Sequence, residues 1–512
     1  MEQKIKVLLV GPYKDRDGSG DSFLAPPFGL YRMKFYIENI LSNVSVEVVD
    51  PNISDFRSYE GPYNIIGFSP LHLTLSNDLY LFQCLKERFP DAIFIVGGIE
   101  ASFLREEIFE FAPFDMLVLG EGEKPLLQII ERVKSGQSEF HGIRSVYIRS
   151  NDSIIFGGYG EQLNLEEMIQ IYDAYDPSRI PYDNYWNHNA KLYDEPNRIE
   201  INTIRSIFSN MCPYGCKFCS TTNFLSYSYR GELSSKAKYH IIPVEKTIDF
   251  IIKTYESWAD VETIIFDDDN LSLSLEYLKE LSLRIISLKK NGVLKQGVSF
   301  ICQGRPDVFS RAGADILPYM KKAGFRMIMY GVESFSDRVL LSIGKRLKRE
   351  DALRSIDNTL SAGIEPLVYI ILFTPEIKKD ELLETLDICL EQIRNNVQVS
   401  TNLLLMDIPG SDFYYDNSMR RYPKEYAIKP DIKFSKSDYI WPFDQEMYLL
   451  AKDLIDNYYS YENSFKQKYG IRHIPGRVYS LVIFDAIYAK FGLHEKQRYL
   501  DDFLKGAVVS YS

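Results

Sequence analysis

The stretch Met211-Cys212-Pro213-Tyr214-Gly215-Cys216-Lys217-Phe218-Cys219-Ser220 decides the reading of this chain. Its cysteines are spaced C-x3-C-x2-C, and Phe218 stands directly before the last one. Three thiolates on one short loop can hold three irons of a 4Fe–4S cluster. The fourth iron then stays open to a small chelating ligand, which is a catalytic arrangement rather than storage. A structural zinc site is the alternative, but zinc takes four ligands, usually in two pairs. Cys84, Cys302 and Cys389 are single and distant in sequence, and the loop holds no histidine.

The bulk of the chain agrees with an enzyme built around such a loop. Its 512 residues suffice for about three domains. Hydrophobic content is 45% and charged content 25%, an ordinary globular balance. A net charge of −12 argues against a broad phosphate-binding surface, so a nucleic-acid substrate is not expected. Six cysteines in this length are no disulfide scaffold. Functional thiolates need a reducing compartment, and the cytoplasm is the expected location. The opening Met-Glu-Gln-Lys-Ile-Lys-Val-Leu-Leu-Val runs straight into a strand without an apolar signal core. No apolar run approaches the roughly 20 residues of a membrane helix.

Upstream of the cysteines, short apolar runs alternate with amphipathic helical patterns. Ile5–Val10, Val44–Val49, Ile65–Phe68, Ile93–Val96 and Met116–Leu119 read as strands. Several end in turn signals: Gly11-Pro12, Ser69-Pro70, Gly97-Gly98 and Gly120-Glu121-Gly122-Glu123. This predicts a doubly wound parallel sheet over residues 1–140, with ligands at the carboxyl ends of its strands. Residues 141–195 read as a connector, with a hairpin around Ser150–Ser153 and an aromatic, proline-broken tract over Tyr172–Trp186. A second series of six strands occupies 196–412: Ile199–Ile207, Thr263–Phe266, Val298–Cys302, Arg326–Val332, Glu365–Phe373 and Val399–Met406. The cysteine loop follows the first of these strands. From 413 to 512 the chain reads as a tyrosine-rich helical cap.

Chemistry-bearing residues sit at the ends of the second series. Asp267-Asp268-Asp269-Asn270 follows its second strand. Adjacent acids repel unless a cation, donors or solvent compensate them, and a solvated helix cap is the other reading. Arg305, after the third strand, can pair with a ligand carboxylate or with Asp307. Glu333 and Ser334, after the fourth, can hydrogen-bond hydroxyls or satisfy their own turn. The C-terminal tyrosines can line a pocket or pack with a wet hydroxyl.

The cysteine loop closely resembles the cluster loop of the radical S-adenosylmethionine (SAM) superfamily. The six strands are similar to that family's open (βα)6 partial barrel. In the family, SAM chelates the open iron and one electron cleaves it to a 5′-deoxyadenosyl radical. The resemblance implies Cys212, Cys216 and Cys219 as cluster ligands and Phe218 beside the adenine. It implies Asp268, slightly before Asp269, at the methionyl amine, with Arg305 a SAM contact and Glu333 and Ser334 at the ribose. Residues 1–140 resemble the Rossmann-like cobalamin-binding domain in front of many radical SAM enzymes. There Gly11, Ser69, Gly97, Gly98, Gly120, Glu121 and Gly122 would contact the corrinoid.

The chain also departs from these patterns. It has no D-x-H-x-x-G loop, Glu100 replaces a histidine often found after Gly-Gly, and Phe373-Thr374-Pro375-Glu376 replaces a glycine-rich turn. A second cluster is not expected, because the remaining cysteines are isolated. The expected activity is methyl transfer to an unactivated carbon of a small molecule. An external electron donor such as flavodoxin or ferredoxin would supply the electron. Radical cyclisation or rearrangement is the rival within enzymes, and a redox-sensing module the rival outside them.

Overall fold

The computed structural model describes residues 4–14, 23–151, 153–192, 201–233, 237–429, 432–470, 474 and 479–511. Its first sheet has the order β2-β1-β3-β4-β5-β6-β7. The strands are Ile5–Val10 (β1), Val44–Val49 (β2), Ile65–Phe68 (β3), Ile93–Val96 (β4), Met116–Val118 (β5), Val146–Ser150 (β6) and Ser153–Phe156 (β7). β1 pairs in parallel with β2 on one side and β3 on the other, so the strand order reverses at β1. That reversal opens a crevice at the carboxyl ends of β1 and β3. Successive side chains of a strand point to opposite faces. Accordingly Val7 and Leu9 enter one hydrophobic core, while Leu8 and Val10 enter another.

Two differences from the sequence reading concern this sheet and the C-terminal part. The hairpin around Ser150–Ser153 forms, but β6 pairs antiparallel with β5 and so extends the sheet. Hydrogen bonding therefore carries the first unit to Phe156, beyond the expected boundary at 140. The C-terminal part is not helical throughout. Its first section holds four short strands, Arg420–Arg421 (β14), Lys424–Lys429 (β15), Ile432–Lys436 (β16) and Tyr439–Trp441 (β17). Ile428 and Phe434 of the β15–β16 hairpin are buried in a core of the N-terminal unit, where Phe434 meets Phe111 at 5.1 Å.

The second sheet contains six parallel strands in chain order: Thr203–Ser206 (β8), Thr263–Phe266 (β9), Ser299–Gly304 (β10), Phe325–Glu333 (β11), Glu365–Phe373 (β12) and Gln398–Met406 (β13). Residues 199 and 200 of the expected first strand lie outside the described residues. β17 adds antiparallel to the end of β13, and β14 to β17. The sheet does not close on itself: β8 and β14 are its edges. Helices Gln445–Asp456, Tyr458–Tyr469 and Ser480–Lys490 follow. The last lies against β13, where the Ser480 hydroxyl donates to the Val399 carbonyl at 2.8 Å.

The aromatic tract joins the two sheets. Tyr172, Tyr175, Tyr182 and Trp186 are buried in one continuous core shared by both. Phe28 of the N-terminal unit lies 5.2 Å from Tyr175, and Trp186 lies 5.5 Å from Trp258. Large aromatic faces gain by such burial and by tilted ring contacts.

Candidate active site

The cysteine loop leaves β8 at the carboxyl mouth of the six strands and runs into the helix Thr221–Arg230. The Lys217 N–H donates to the Ile343 carbonyl at 3.0 Å, and the Lys217 carbonyl accepts from the Phe413 N–H at 3.1 Å. The loop is thus clamped between the barrel and the cap. Cys212, Cys216 and Cys219 carry free thiols and border one cavity of about 720 Å³. Burial pushes the Cys212 thiol up to about 12, with Asp269 and the other two cysteines adding to it. Three crowded, partly buried thiolates need compensating positive charge, which suits a shared iron cluster. Among the described residues, no three His, Cys, Asp or Glu side chains converge as the shell of a single metal ion.

The acidic run divides its labour differently from the expectation. Asp267 pairs with Arg205 at 2.9 Å. Asp268 is completely buried and does not border the cavity. Its Oδ1 accepts from the Phe208 N–H at 2.9 Å and from the backbone N–H and hydroxyl of Ser209. It pins the start of the cysteine loop, and burial raises it to about 7. Asp269 faces the cavity, raised to about 6 by burial and then by Asp267. Against the slight preference for Asp268, Asp269 is the acid that borders the cavity. The cap reading does not hold for the acids either, since Ser274 caps the following long helix.

Arg305 and Glu333 also border the cavity. Arg305 donates to Asp307 at 2.9 Å and to the Lys345 carbonyl at 3.1 Å, and it stacks over Tyr214 at 3.8 Å. Its charge is matched inside the protein. Glu333 has a left-handed backbone, φ +70°, and pairs with the buried Lys345 at 2.9 Å. Ser334 does not reach the cavity. Its hydroxyl accepts from the Ser336 N–H at 3.1 Å and meets Thr385 at 3.3 Å, so it serves its own turn. Phe218 borders the cavity and packs on Ile343, Ile371, Leu405 and Phe413.

A second cavity, of about 300 Å³, opens at the carboxyl ends of the first sheet. Ser69, Gly97, Gly98, Gly120, Glu121 and Gly122 border it, as expected from the turns that carry them. Gly11 does not; it sits against the Val49 carbonyl and Pro27. Gly98 has φ +82°, and a Cβ there would meet the Ser69 hydroxyl at 2.5 Å. Only glycine leaves this wall open. Sequence reasoning missed the buried Arg32–Glu123 pair at 2.8 Å, which also borders the slot.

Residues 206–389 match the sequence profile of the Radical SAM superfamily. That stretch, which starts at the end of β8 and holds the cysteine loop, carries the Radical SAM signature. An uncharacterized methyltransferase of Pyrococcus horikoshii is 23% identical over 70% of this chain and 72% of that protein. The anaerobic magnesium-protoporphyrin IX monomethyl ester cyclase of Rubrivivax gelatinosus is 22% identical over 86% and 72%. The structure of the cobalamin-dependent SAM radical enzyme OxsB, with aqua-cobalamin and SAM bound, superposes with a TM-score of 0.68 at 17% identity. It covers 98% of this chain and 75% of OxsB, a likeness of fold.

Within the matched stretch the helix Thr221–Arg230 bridges the two cavities. Its N-terminal end adjoins the cysteines, and at its other end Tyr229 meets Glu121. Glu121 is pushed up to about 7 by burial and by Glu123. The far wall of the larger cavity was not legible beforehand. It comes from Thr401–Met406 of β13 and from Tyr439, Ile455, Tyr458 and Ile483, which are spread over several elements of the cap.

Proposed function

We propose that this enzyme transfers a methyl group to an unactivated carbon of a small molecule, using a corrinoid held by its N-terminal sheet. The observation that carries the reading is the pair of cavities at the carboxyl ends of the two sheets, one edged by glycines and one by thiols, joined by a single helix. Residues 1–140 with the 146–156 hairpin would hold the corrinoid, 196–412 the cluster and SAM, and 413–512 would close the mouth. When bound, the cluster and SAM supply a hydrogen-abstracting radical and the corrinoid supplies the methyl group.

The chain's own residues bind, orient and exclude water. Cys212, Cys216 and Cys219 hold three irons. Asp269 offers a carboxylate to the methionyl ammonium, and Glu333 offers an acceptor to ribose hydroxyls. Arg305 stiffens the rim through Asp307 and Tyr214. Phe28, Ser69 and Gly98 border the smaller slot and would hold part of the corrinoid there. The electron that the cluster chemistry needs would come from a one-electron donor of the flavodoxin or ferredoxin kind, in the reducing surroundings of the cytoplasm. Among the described residues no helix is long and apolar enough to cross a membrane.

The test is the iron, sulfide and corrinoid content of protein prepared without oxygen, followed by reaction with methyl-labelled SAM. About four irons, four sulfides and one corrinoid per chain support the reading, as does label in a product. The similarity to a cyclase favours ring closure as a second reading. 5′-Deoxyadenosine with an unlabelled, cyclised product would establish that one instead.

A further inference from the structure

The larger cavity is divided by charge. Its ionisable acids and bases, Asp269, Arg305, Glu333 and Lys345, all follow β9, β10 or β11, beside the cysteine loop. Two of the pairs are closed within the protein, Arg305 with Asp307 and Lys345 with Glu333. The opposite end is built by β12, β13, β17 and the C-terminal helices. Leu403, Leu405, Ile408, Ile455 and Ile483 line it, and Leu73 reaches it from the loop after β3. Among the described residues that end carries no Asp, Glu, Lys, Arg or His. Its polar groups are uncharged: Thr401, Asn402 and the hydroxyls of Tyr369, Tyr439, Tyr458 and Tyr479.

A charge taken out of water into such a wall would find no partner, and an unpaired buried charge is strongly unfavourable. The wall also lies beside the open flank of the half-barrel. β13 has no strand partner beyond β12 until Leu405, and the helix Ser480–Lys490 covers that flank instead. We infer that the substrate presents to this site an uncharged, mainly apolar body bearing hydroxyl or amide groups, seated between β13 and the C-terminal helices. The inference rests on the radical SAM reading of the cysteine loop, which places the reacting end at the charged half.

The test uses holoenzyme loaded with cluster and corrinoid, so that the N-terminal slot is filled. It is titrated with the neutral fluorophore N-phenyl-1-naphthylamine and with the anionic 1-anilinonaphthalene-8-sulfonate. Saturable binding of the neutral dye is expected, about ten-fold or more tighter than the sulfonate. Ile455→Glu and Ile483→Glu should each weaken it by about ten-fold or more. Ile455→Gln, the uncharged counterpart of Ile455→Glu, should weaken it less and separates the effect of charge from that of packing. Unchanged affinity for the neutral dye in the variants, or tighter binding of the sulfonate by wild type, overturns the inference. Absence of SAM cleavage by wild type overturns the radical SAM reading instead, whatever the dyes do.

Discussion

Tyr229 and Glu121 hold each other across the join between the two sheets. The Glu121 backbone N–H donates to the Tyr229 hydroxyl at 3.0 Å, and that hydroxyl lies 3.2 Å from the Glu121 carboxylate. The same carboxylate accepts from the Leu163 N–H at 2.9 Å. Two residues earlier, Arg105 donates to the Tyr227 carbonyl at 2.8 Å and stacks on the Tyr227 ring at 3.9 Å. The helix that begins at the cysteine loop is therefore fastened at its far end to the loop that edges the smaller slot. Positions in the two cavities are set relative to each other by this short element.

Tyr229→Phe keeps the ring and removes the hydroxyl. The Glu121 N–H and carboxylate each lose a partner in a partly buried place, at a cost of about 1–3 kcal/mol. Corrinoid retention should fall, while iron content stays at the wild-type level because the cysteines lie two turns away. Corrinoid and iron assays on the same preparation, with a thermal midpoint, check both halves of this expectation. Equal loss of both would show that the helix fails as a whole.

Asp268 and Asp269 should separate cleanly on substitution. Asp269→Asn leaves the loop anchored and removes the charge that faces the cavity. SAM affinity should drop by roughly 10- to 100-fold, the scale of one charge-assisted bond, with iron content unchanged. Asp268→Asn alters an acceptor that three groups of Phe208 and Ser209 share. Reconstituted iron should then fall before SAM binding is measured at all. Equilibrium binding of SAM and iron per chain distinguish the two. Equal effects on both would place Asp268 back at the ligand.

The contrast between these neighbours shows what the sequence could tell and what it could not. The cysteine spacing is local, so one loop displays it in full. The six parallel strands are legible because β9 to β13 are apolar runs bounded by turns. Which of two adjacent acids enters the cavity is decided by the exit direction of β9 and by donors on Phe208 and Ser209, some sixty residues earlier. Ser334 was lost for the same reason, since its partner Thr385 belongs to a later helix. The β6–β7 hairpin was visible as a hairpin, but its pairing with β5 was not. The apolar wall of the larger cavity needs Leu403, Ile455 and Ile483 together, and no spacing links them.

Asp78 supplies a pH test away from the cofactors. It is buried, accepts from the Tyr13 N–H at 2.7 Å and from Thr74 at 2.6 Å, and burial raises it from the ordinary 3.8 to about 8. The folded state thus binds its proton more tightly than the unfolded chain does. Its contribution to stability is full below about pH 3.8 and is lost as the pH rises to about 8. Asp78→Asn mimics the protonated form and removes that loss. Urea unfolding at pH 5 and pH 8.5 should show the variant gaining on wild type at the higher pH. A constant difference between the two at both values would mean that Asp78 is not held protonated.

Gly98 and Ser69 face each other across the rim of the smaller slot. In Gly98→Ala the new methyl would stand 2.5 Å from the Ser69 hydroxyl, on a backbone at φ +82°. The left-handed conformation alone costs an alanine about 1–2 kcal/mol, and the contact adds to it. Removing the hydroxyl leaves the Ser69 Cβ at 3.6 Å from that methyl, an ordinary van der Waals distance. Ser69→Ala with Gly98→Ala should therefore recover the part of the thermal midpoint that the contact took, but not the part due to the backbone. Corrinoid content should fall in Gly98→Ala and stay low in the double variant, because the methyl still fills the rim. Full recovery of corrinoid in the double variant would mean that the ligand does not approach the backbone at Gly98.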